Sequence, residues 1–129
     1  SCRRNDFAGD YFKRTAWPGV RQGDDQWMDI VAMTLYALIN AEELGITSGN
    51  VDSLKAKPGN PAVARLVGAE GNMGELLGLG ADWSYNAIKQ VGNYGEIYER
   101  TVAPIGIPRA GSVNDLWIRG GILYAPPIR

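Results

Sequence analysis

Four glutamates, Glu70, Glu75, Glu96 and Glu99, are the residues whose type could most directly do chemistry, since two carboxyl groups flanking a glycosidic bond are enough for its hydrolysis. Glu96 and Glu99, however, fall beside the apolar stripe of Tyr94, Ile97 and Tyr98, on the solvent side of an expected helix, where charge is ordinary. Solvated helix faces are therefore the preferred reading. The glycines at 68, 71, 74, 78 and 80 could suggest a phosphate cradle. No strand pattern precedes them, their spacing is not that of the dinucleotide fingerprint, and no Lys-Ser or Lys-Thr follows, so they read as loop punctuation. Trp27, Trp83, Trp117, Tyr94 and Tyr98 could line a ring-stacking pocket, but helical spacing and the large area each ring buries assign them to the core. Asp24 and Asp25 could hold an ammonium group or a cation; two acids just before an apolar helix are also accounted for by capping and the helix dipole, which is the reading preferred here.

Composition narrows the classes further. The chain has no histidine, which removes the commonest general base and metal ligand, and its single Cys2 can make neither an internal disulfide nor a thiolate cluster. Catalytic triads and zinc sites are excluded on that ground. Thirteen basic residues, scattered along the chain, face 14 acidic ones, so there is no electrostatic footprint for nucleic acid or for an anionic membrane surface. The longest uncharged apolar run, Ile30 to Ala41, is shorter than the roughly 20 residues a membrane span needs. It reads as a core helix, and no insertion into a membrane is expected. A length of 129 residues with 45% apolar content fits one soluble globular domain with a single core. The chain starts at Ser1 with no basic-then-apolar leader, so any secretion signal is expected upstream and the sequence is treated as a fragment.

These residues are positioned by a series of short helices. Trp27, Ile30, Val31, Leu35, Leu38 and Ile39 recur at three-and-four spacing on one helical face, with Asp24 or Asp25 as its cap and Gly45 as its end. A short helix is expected at Val51 to Ala56, closed by Pro58 and Gly59. Asn60-Pro61 opens another carrying Val63, Leu66 and Val67 and stopping at Gly68. Asn72 caps a brief turn with Met73, Leu76 and Leu77. Asp82 precedes a helix with Trp83, Ala87, Ile88 and Val91 that ends at Gly92, and Asn93 caps one more with Tyr94, Ile97, Tyr98 and Val102. From Ala103 the prolines and glycines predict irregular chain, with Leu116 and Trp117 on a last short helix and an extended end from Ile122 to Arg129. No strand longer than a few residues is expected. Five or six short helices with almost no sheet need a partner layer to cover their apolar faces, and part of that layer is expected to be missing.

The string Val20-Arg21-Gln22-Gly23-Asp24-Asp25-Gln26-Trp27, followed by the helix through Ala41-Glu42-Glu43-Leu44-Gly45, resembles the late segment of polar amino-acid-binding periplasmic proteins of ABC transporters, bacterial solute-binding protein family 3. The general, broad-specificity L-amino-acid-binding subgroup is the most similar. Gly71-Asn72-Met73-Gly74, Ala87-Ile88-Lys89, the run Gly92-Asn93-Tyr94-Gly95-Glu96-Ile97-Tyr98-Glu99-Arg100 and the terminal Tyr124-Ala125-Pro126-Pro127-Ile128-Arg129 carry the same resemblance, in order, over nearly everything from residue 20. It implies a mainly α fragment, the C-terminal helical part of a two-lobe α/β periplasmic-binding-protein fold of type II, which follows the final crossover and completes the first lobe. It also implies a periplasmic, non-catalytic, monomeric parent that captures an L-amino acid and delivers it to the permease subunits of an importer, without a cofactor. Because that family holds the ligand's carboxylate and ammonium mostly with residues upstream, no catalytic, ligand-binding, cofactor-binding or metal-binding residue is assigned. Two other classes stay open: an independent helical interaction module without ligand binding, and a glycan-cleaving enzyme using two of the glutamates.

The resemblance begins only near Gly19, so the chain divides into an anomalous segment, 1–18, and the family-like segment, 19–129. A crossover strand close to Glu-Ile-Ile-Ser-Lys-Glu-Pro-Leu-Gly-Pro would stand where Gly9-Asp10-Tyr11-Phe12-Lys13-Arg14-Thr15-Ala16-Trp17-Pro18 is found. Back-translated with permitted codons and advanced by one base, residues 9–19 can encode that strand residue for residue. The expectation is an out-of-frame translation, with frame recovered near Gly19 and Val20 and a segment not selected to pack.

Overall fold

The spacing that starts at Trp27 winds into one 19-residue helix, α1 (Asp25–Glu43), whose start is fixed by a single bond: the Asp24 carboxylate accepts from the Trp27 amide at 3.1 Å. Of the two candidate caps it is Asp24 that serves, while Asp25 adds negative charge to the first turn. At the far end Gly45 takes φ 73° and lets the Ile46 amide reach back to the Ala41 carbonyl at 2.7 Å. This is a computed structural model, and it describes residues 19–128; the out-of-frame reading of residues 1–18 and the end at Arg129 lie outside the described residues.

Five further helices follow: α2 (Val51–Ala56), α3 (Pro61–Leu66), α4 (Met73–Leu76), α5 (Trp83–Val91) and α6 (Tyr94–Thr101). The Asn60 side chain accepts from the Val63 amide at 2.9 Å with Pro61 in the first turn, as the Asn-Pro signal predicts. Asn93 does the same for Glu96, completing a capping box. Asn72 makes no side-chain cap bond, and neither does Asp82, whose carboxylate instead pairs with Lys55 at 2.6 Å.

Beyond α6 the chain is irregular except for 3₁₀ turns at Ala103–Ile105 and Trp117–Arg119, so the last short helix shrinks to one turn with Leu116 ahead of it. No strand forms among the described residues; the extended end makes one isolated parallel bridge, Leu116 with Leu123.

The core lies around the second half of α1. Ala37, Leu38 and Ala41 meet Ile46, Val51, Val63, Leu66, Val67, Ile88 and Ile128 there, with α5 and α6 laid against α1 and with α2 bridging α5 and α3. A smaller cluster of Ile39, Leu116 and Ala125 docks the C-terminal segment, which Asn40 secures by donating to the Pro126 carbonyl at 2.8 Å. The first half of α1 is different, since residues 30 to 36 are only half-buried. The apolar face that the sequence pattern runs through Trp27 is thus covered at one end only.

Two of the five aromatics assigned to the core are not in it: Trp27 is 52% exposed and Trp117 50%. Trp27 stands in the uncovered first turn of α1, and Trp117 packs edge-on to Tyr124 at 5.9 Å on the surface. Tyr98 is buried, and Trp83 and Tyr94 pack half-buried against the core.

Candidate functional site

Two polar arrangements stand out in this framework. The first closes the C-terminal end of α1. Glu42, in the last turn, meets Arg109 in a bidentate pair, Nη1 with Oε1 and Nη2 with Oε2, the second at 2.7 Å. Side-chain exposure is 5% for Arg109 and 7% for Glu42, so this ion pair is inside the protein. Arg109 Nε donates to the Asn114 carbonyl at 2.9 Å, and the guanidinium lies 5.1 Å from the Tyr94 ring centre and 5.8 Å from that of Tyr98. Burial by itself would lower the Arg109 pKa, but the Glu42 carboxylate outweighs it and holds the guanidinium above its ordinary value. Burial raises the Tyr94 hydroxyl, against the pull of Arg109. Arg119, half-exposed, reaches Glu42 at 3.1 Å and Asp115 at 3.4 Å from outside.

Gly95 makes this packing possible: a Cβ there would sit 2.9 Å from both Arg109 Nη1 and Glu42 Oε1. The arrangement is saturated, with each guanidinium nitrogen of Arg109 bonded within the protein. Its chemistry is that of a clamp joining α1, α6 and the C-terminal segment.

The second is a cleft of about 280 Å³ between the glycine-rich loop and the start of α5, lined by Arg65, Glu70, Asn72, Met73, Glu75 and Trp83. Gly68 and Gly74 set its walls, because a side chain at either would strike the backbone of Ala81 or Gly80. Glycines 68, 71 and 78 adopt positive φ, the turn role read for them. Of the four glutamates weighed for acid–base chemistry, Glu70 and Glu75 border this cleft and are exposed, Glu99 is exposed on α6, and Glu96 is elsewhere and occupied. The four do not share one site.

Glu96 corrects the sequence reading, which left it as a solvated surface charge. It is half-buried, accepts from the Asn93 amide at 2.7 Å and from the Ser48 amide and hydroxyl at 3.2 and 2.8 Å. Burial pushes its carboxyl up, and the Asn93 and Ser48 hydrogen bonds together outweigh that and hold it below the ordinary glutamate value. An exposed network also pins α2 to α5: Asp52 accepts from the Tyr85 hydroxyl and from Lys89 at 3.1 Å, while Lys55 lies 3.9 Å over the Tyr85 ring. The Tyr85 hydroxyl and then Lys89 hold the Asp52 carboxyl below its ordinary value.

Sequence reasoning missed the Glu42–Arg109 pair. The local signal was a pair of carboxylates, Glu42 and Glu43, in the last turn of α1 with no basic residue beside them, where the helix dipole disfavours negative charge unless a cation answers it. No group of three or more Cys, Asp or Glu side chains among the described residues is arranged to hold a metal ion. Every buried side-chain nitrogen or oxygen among them has a hydrogen-bond partner within the protein. The buried polar groups are therefore spent on structure.

No protein-family model matches the chain. Among curated proteins it is 55% identical over 122 residues to the general L-amino acid-binding periplasmic protein AapJ of Rhizobium johnstonii, and 52% identical over 120 to the putative amino-acid ABC transporter-binding protein YhdW of Escherichia coli. It is 45% identical over 118 residues to the glutamate/glutamine/aspartate/asparagine-binding protein BztA of Rhodobacter capsulatus. Each match takes in 91% of this chain and 35% of the relative, so the chain spans about a third of the length of the curated relatives it matches. Among solved structures, an ABC transporter/periplasmic binding protein from Brucella ovis with glutathione bound superposes with a TM-score of 0.79 at 49% identity, over 85% of this chain and 35% of that one. The helical expectation for this part of a two-lobe fold agrees with that superposition. By sequence and by fold, the chain is similar to about a third of the length of proteins named for amino-acid binding and ABC transport.

Proposed function

We propose that this chain is the helical C-terminal part of the substrate-binding component of an ABC-type L-amino-acid importer, acting in the periplasm by non-covalent capture and delivery to a permease. The observation that carries the reading is identity of 45–55% along 91% of the chain to three proteins named for amino-acid binding, two of them as ABC-transporter or periplasmic components. The names span general L-amino acids, acidic amino acids and their amides, and, in the solved neighbour, glutathione. All of these ligands present an α-ammonium and an α-carboxylate, and that head group is the proposed common determinant. Its principal contacts belong to the other two thirds of the parent, since the buried polar groups of this third are already paired with one another. No described helix is long and apolar enough to cross a membrane. Residues 19–129 are proposed as the functional segment, and residues 1–18 as the out-of-frame remnant of a crossover strand.

Calorimetric titration with a mixture of L-amino acids tests this. The complete parent is expected to give saturable heat at one site per molecule, and the 129-residue chain none. Saturable binding by the chain alone would move the ligand contacts into these residues, and a complete parent that binds no amino acid would end the proposal.

A further inference from the structure

Past Leu123 the chain offers its surroundings acceptors rather than donors. Pro126 and Pro127 carry no N–H, and among the described residues no backbone–backbone bond holds any residue from Tyr124 to Ile128. Two side chains of the helical body supply the donors instead. Asn40 Nδ2, from the buried half of α1, reaches the Pro126 carbonyl at 2.8 Å, and Arg65 Nε, from α3, reaches the Ile128 carbonyl at 3.2 Å. Ala125 and Ile128 are 1 and 6% exposed, whereas Pro126 and Pro127 between them face solvent. Anchors three residues apart lie on one side of an extended proline-rich segment, whose backbone makes no bonds to itself. The body therefore holds residues 125–128 as a domain holds a peptide, with side-chain donors for the carbonyls and a seat for each apolar anchor.

The fastening changes abruptly along this stretch. Up to Leu123 the backbone is tied to residues 113–117, by Ile122 N to Val113 O at 3.0 Å and Leu123 N to Asp115 O at 3.2 Å, and Gly121 lies so close to the Asp115 carbonyl that no side chain fits there. Beyond it the two side-chain bonds and the two apolar anchors act alone, apart from the surface contact of the Tyr124 ring with Trp117. A hollow of about 170 Å³ also lies between Pro127 and Ile128 on one side and Leu44, Ala62 and Leu66 on the other, so the seat of the larger anchor is incompletely filled. Segments with few buried contacts and no backbone ladder open at free energies well below that of global unfolding. The helices keep contacts of their own when this one leaves, since α1 meets α5 and α6 directly.

We propose that the surface formed by Asn40, Leu44, Ala62, Arg65 and Leu66 is a peptide-binding groove for an extended segment in which two prolines precede an aliphatic residue, and that residues 125–128 are its resident occupant, leaving and returning as a unit while the helices stay folded. The vacated groove takes the same chemistry in trans. Residue order matters to it, because its donors meet carbonyls two residues apart and its hollow lies at the aliphatic residue that follows the prolines. The inference is independent of the ligand and of the transport role proposed above.

Thiol labelling of the full 129-residue chain tests it. With Cys2→Ser removing the natural thiol, Ile128→Cys places one at the buried anchor, and its rate of reaction with an aromatic disulfide reagent is followed against urea. The expected rate is at least about tenfold below that of the unfolded chain, with a urea dependence less than about half that of the global transition seen by circular dichroism, as a local opening requires. Asn40→Leu and Arg65→Met are each expected to raise the rate by about two- to tenfold, the worth of one hydrogen bond. The synthetic peptide Tyr-Ala-Pro-Pro-Ile-Arg, at about 5 mM so as to compete with a tethered segment, is expected to raise it saturably and at least about threefold, because an occupied groove cannot take the segment back. The same peptide with serine in place of isoleucine is expected to do nothing. Ala125→Cys repeats the measurement with Ile128 in place should the first variant fail to fold. Labelling that needs global unfolding, labelling as fast as in the unfolded chain, or a peptide effect that is absent or equal for the two peptides would each overturn the proposal.

Discussion

Replacing Arg109 by Met puts the clamp to its most direct test. The substitution keeps an apolar stem of similar length against Tyr94 and Tyr98 but leaves the Glu42 carboxylate, with a side chain only 7% exposed, without its bidentate partner. Breaking a buried pair from one side costs about 3–5 kcal/mol, because a charge is left in a poorly solvating place. Arg119 still reaches Glu42 at 3.1 Å, but it is half-exposed and, like a surface pair, returns at most about 1 kcal/mol, so the expected loss is about 3 kcal/mol. With about 5–15 kcal/mol available to a domain of this size, that is a large fraction of the whole. Urea unfolding followed by circular dichroism at 222 nm reads it: with a slope of about 1.5 kcal/mol per molar, the midpoint falls by about 2 M. The double substitution Glu42→Met with Arg109→Met removes both charges together and is expected to return to within about 1 kcal/mol of the parent sequence, since a well-packed apolar pair commonly equals a buried ion pair. A cost below about 1 kcal/mol for Arg109→Met, or a double variant as unstable as the sum of its singles, would mean the pair is solvated and the clamp argument wrong.

Three further outcomes follow from the same structure. Gly95→Ala, a change that in an open helix interior stabilises by about 0.5–1 kcal/mol, is expected here to destabilise by about 1–3 kcal/mol, because its methyl group meets Arg109 and Glu42 at 2.9 Å; a raised melting temperature would refute this. The Glu96 carboxyl is held below its unfolded value, so its contribution is present above about pH 5 and is lost as pH falls through the folded pKa; the stability gap between the chain and Glu96→Gln should therefore close on acidification, and a gap that widens would contradict the assignment. Sequencing the DNA that encodes residues 1–18 is expected to show the family strand one base out of frame, and a coding sequence from which no one-base shift recovers it would dispose of that reading.

Local signals were legible where a bond closes within a few residues. Asp24 before the first apolar residue, Asn60-Pro61, and the Gly92-Asn93 junction each mark a helix boundary that the structure keeps, because capping depends on side chains three positions away. The same local rule contained the role of Glu96, at the third position after Asn93, but a helical-wheel reading assigns a residue to a face and does not ask whether it reaches back to the cap. The Glu42–Arg109 pair could not be read at all, since 67 residues separate its members and Arg109 lies in a proline-rich stretch with no periodicity. Residue type and helical spacing assign Trp27 and Trp117 to the core, but type does not say which face of an element the fold covers, and both rings stand half-exposed.

That last point bears on how sequence effects divide between stability and function. The core closes around the second half of α1, where Ala37, Leu38 and Ala41 are buried, whereas residues 30 to 36 remain half-covered and Val113, Trp117, Ile118, Ile122 and Tyr124 are exposed. Among the described residues every buried side-chain nitrogen and oxygen is bonded within the protein, so the polar interior holds the shape of the core. In the parent, a change such as Arg109→Met therefore acts on every ligand through the same term, the fraction of molecules that are folded. A loss of about 3 kcal/mol from about 5–15 kcal/mol still leaves more than about 95% of molecules folded, so apparent affinities are expected to change by less than about 10% and their ratios to stay fixed, and altered ratios would show that the clamp reaches the ligand itself.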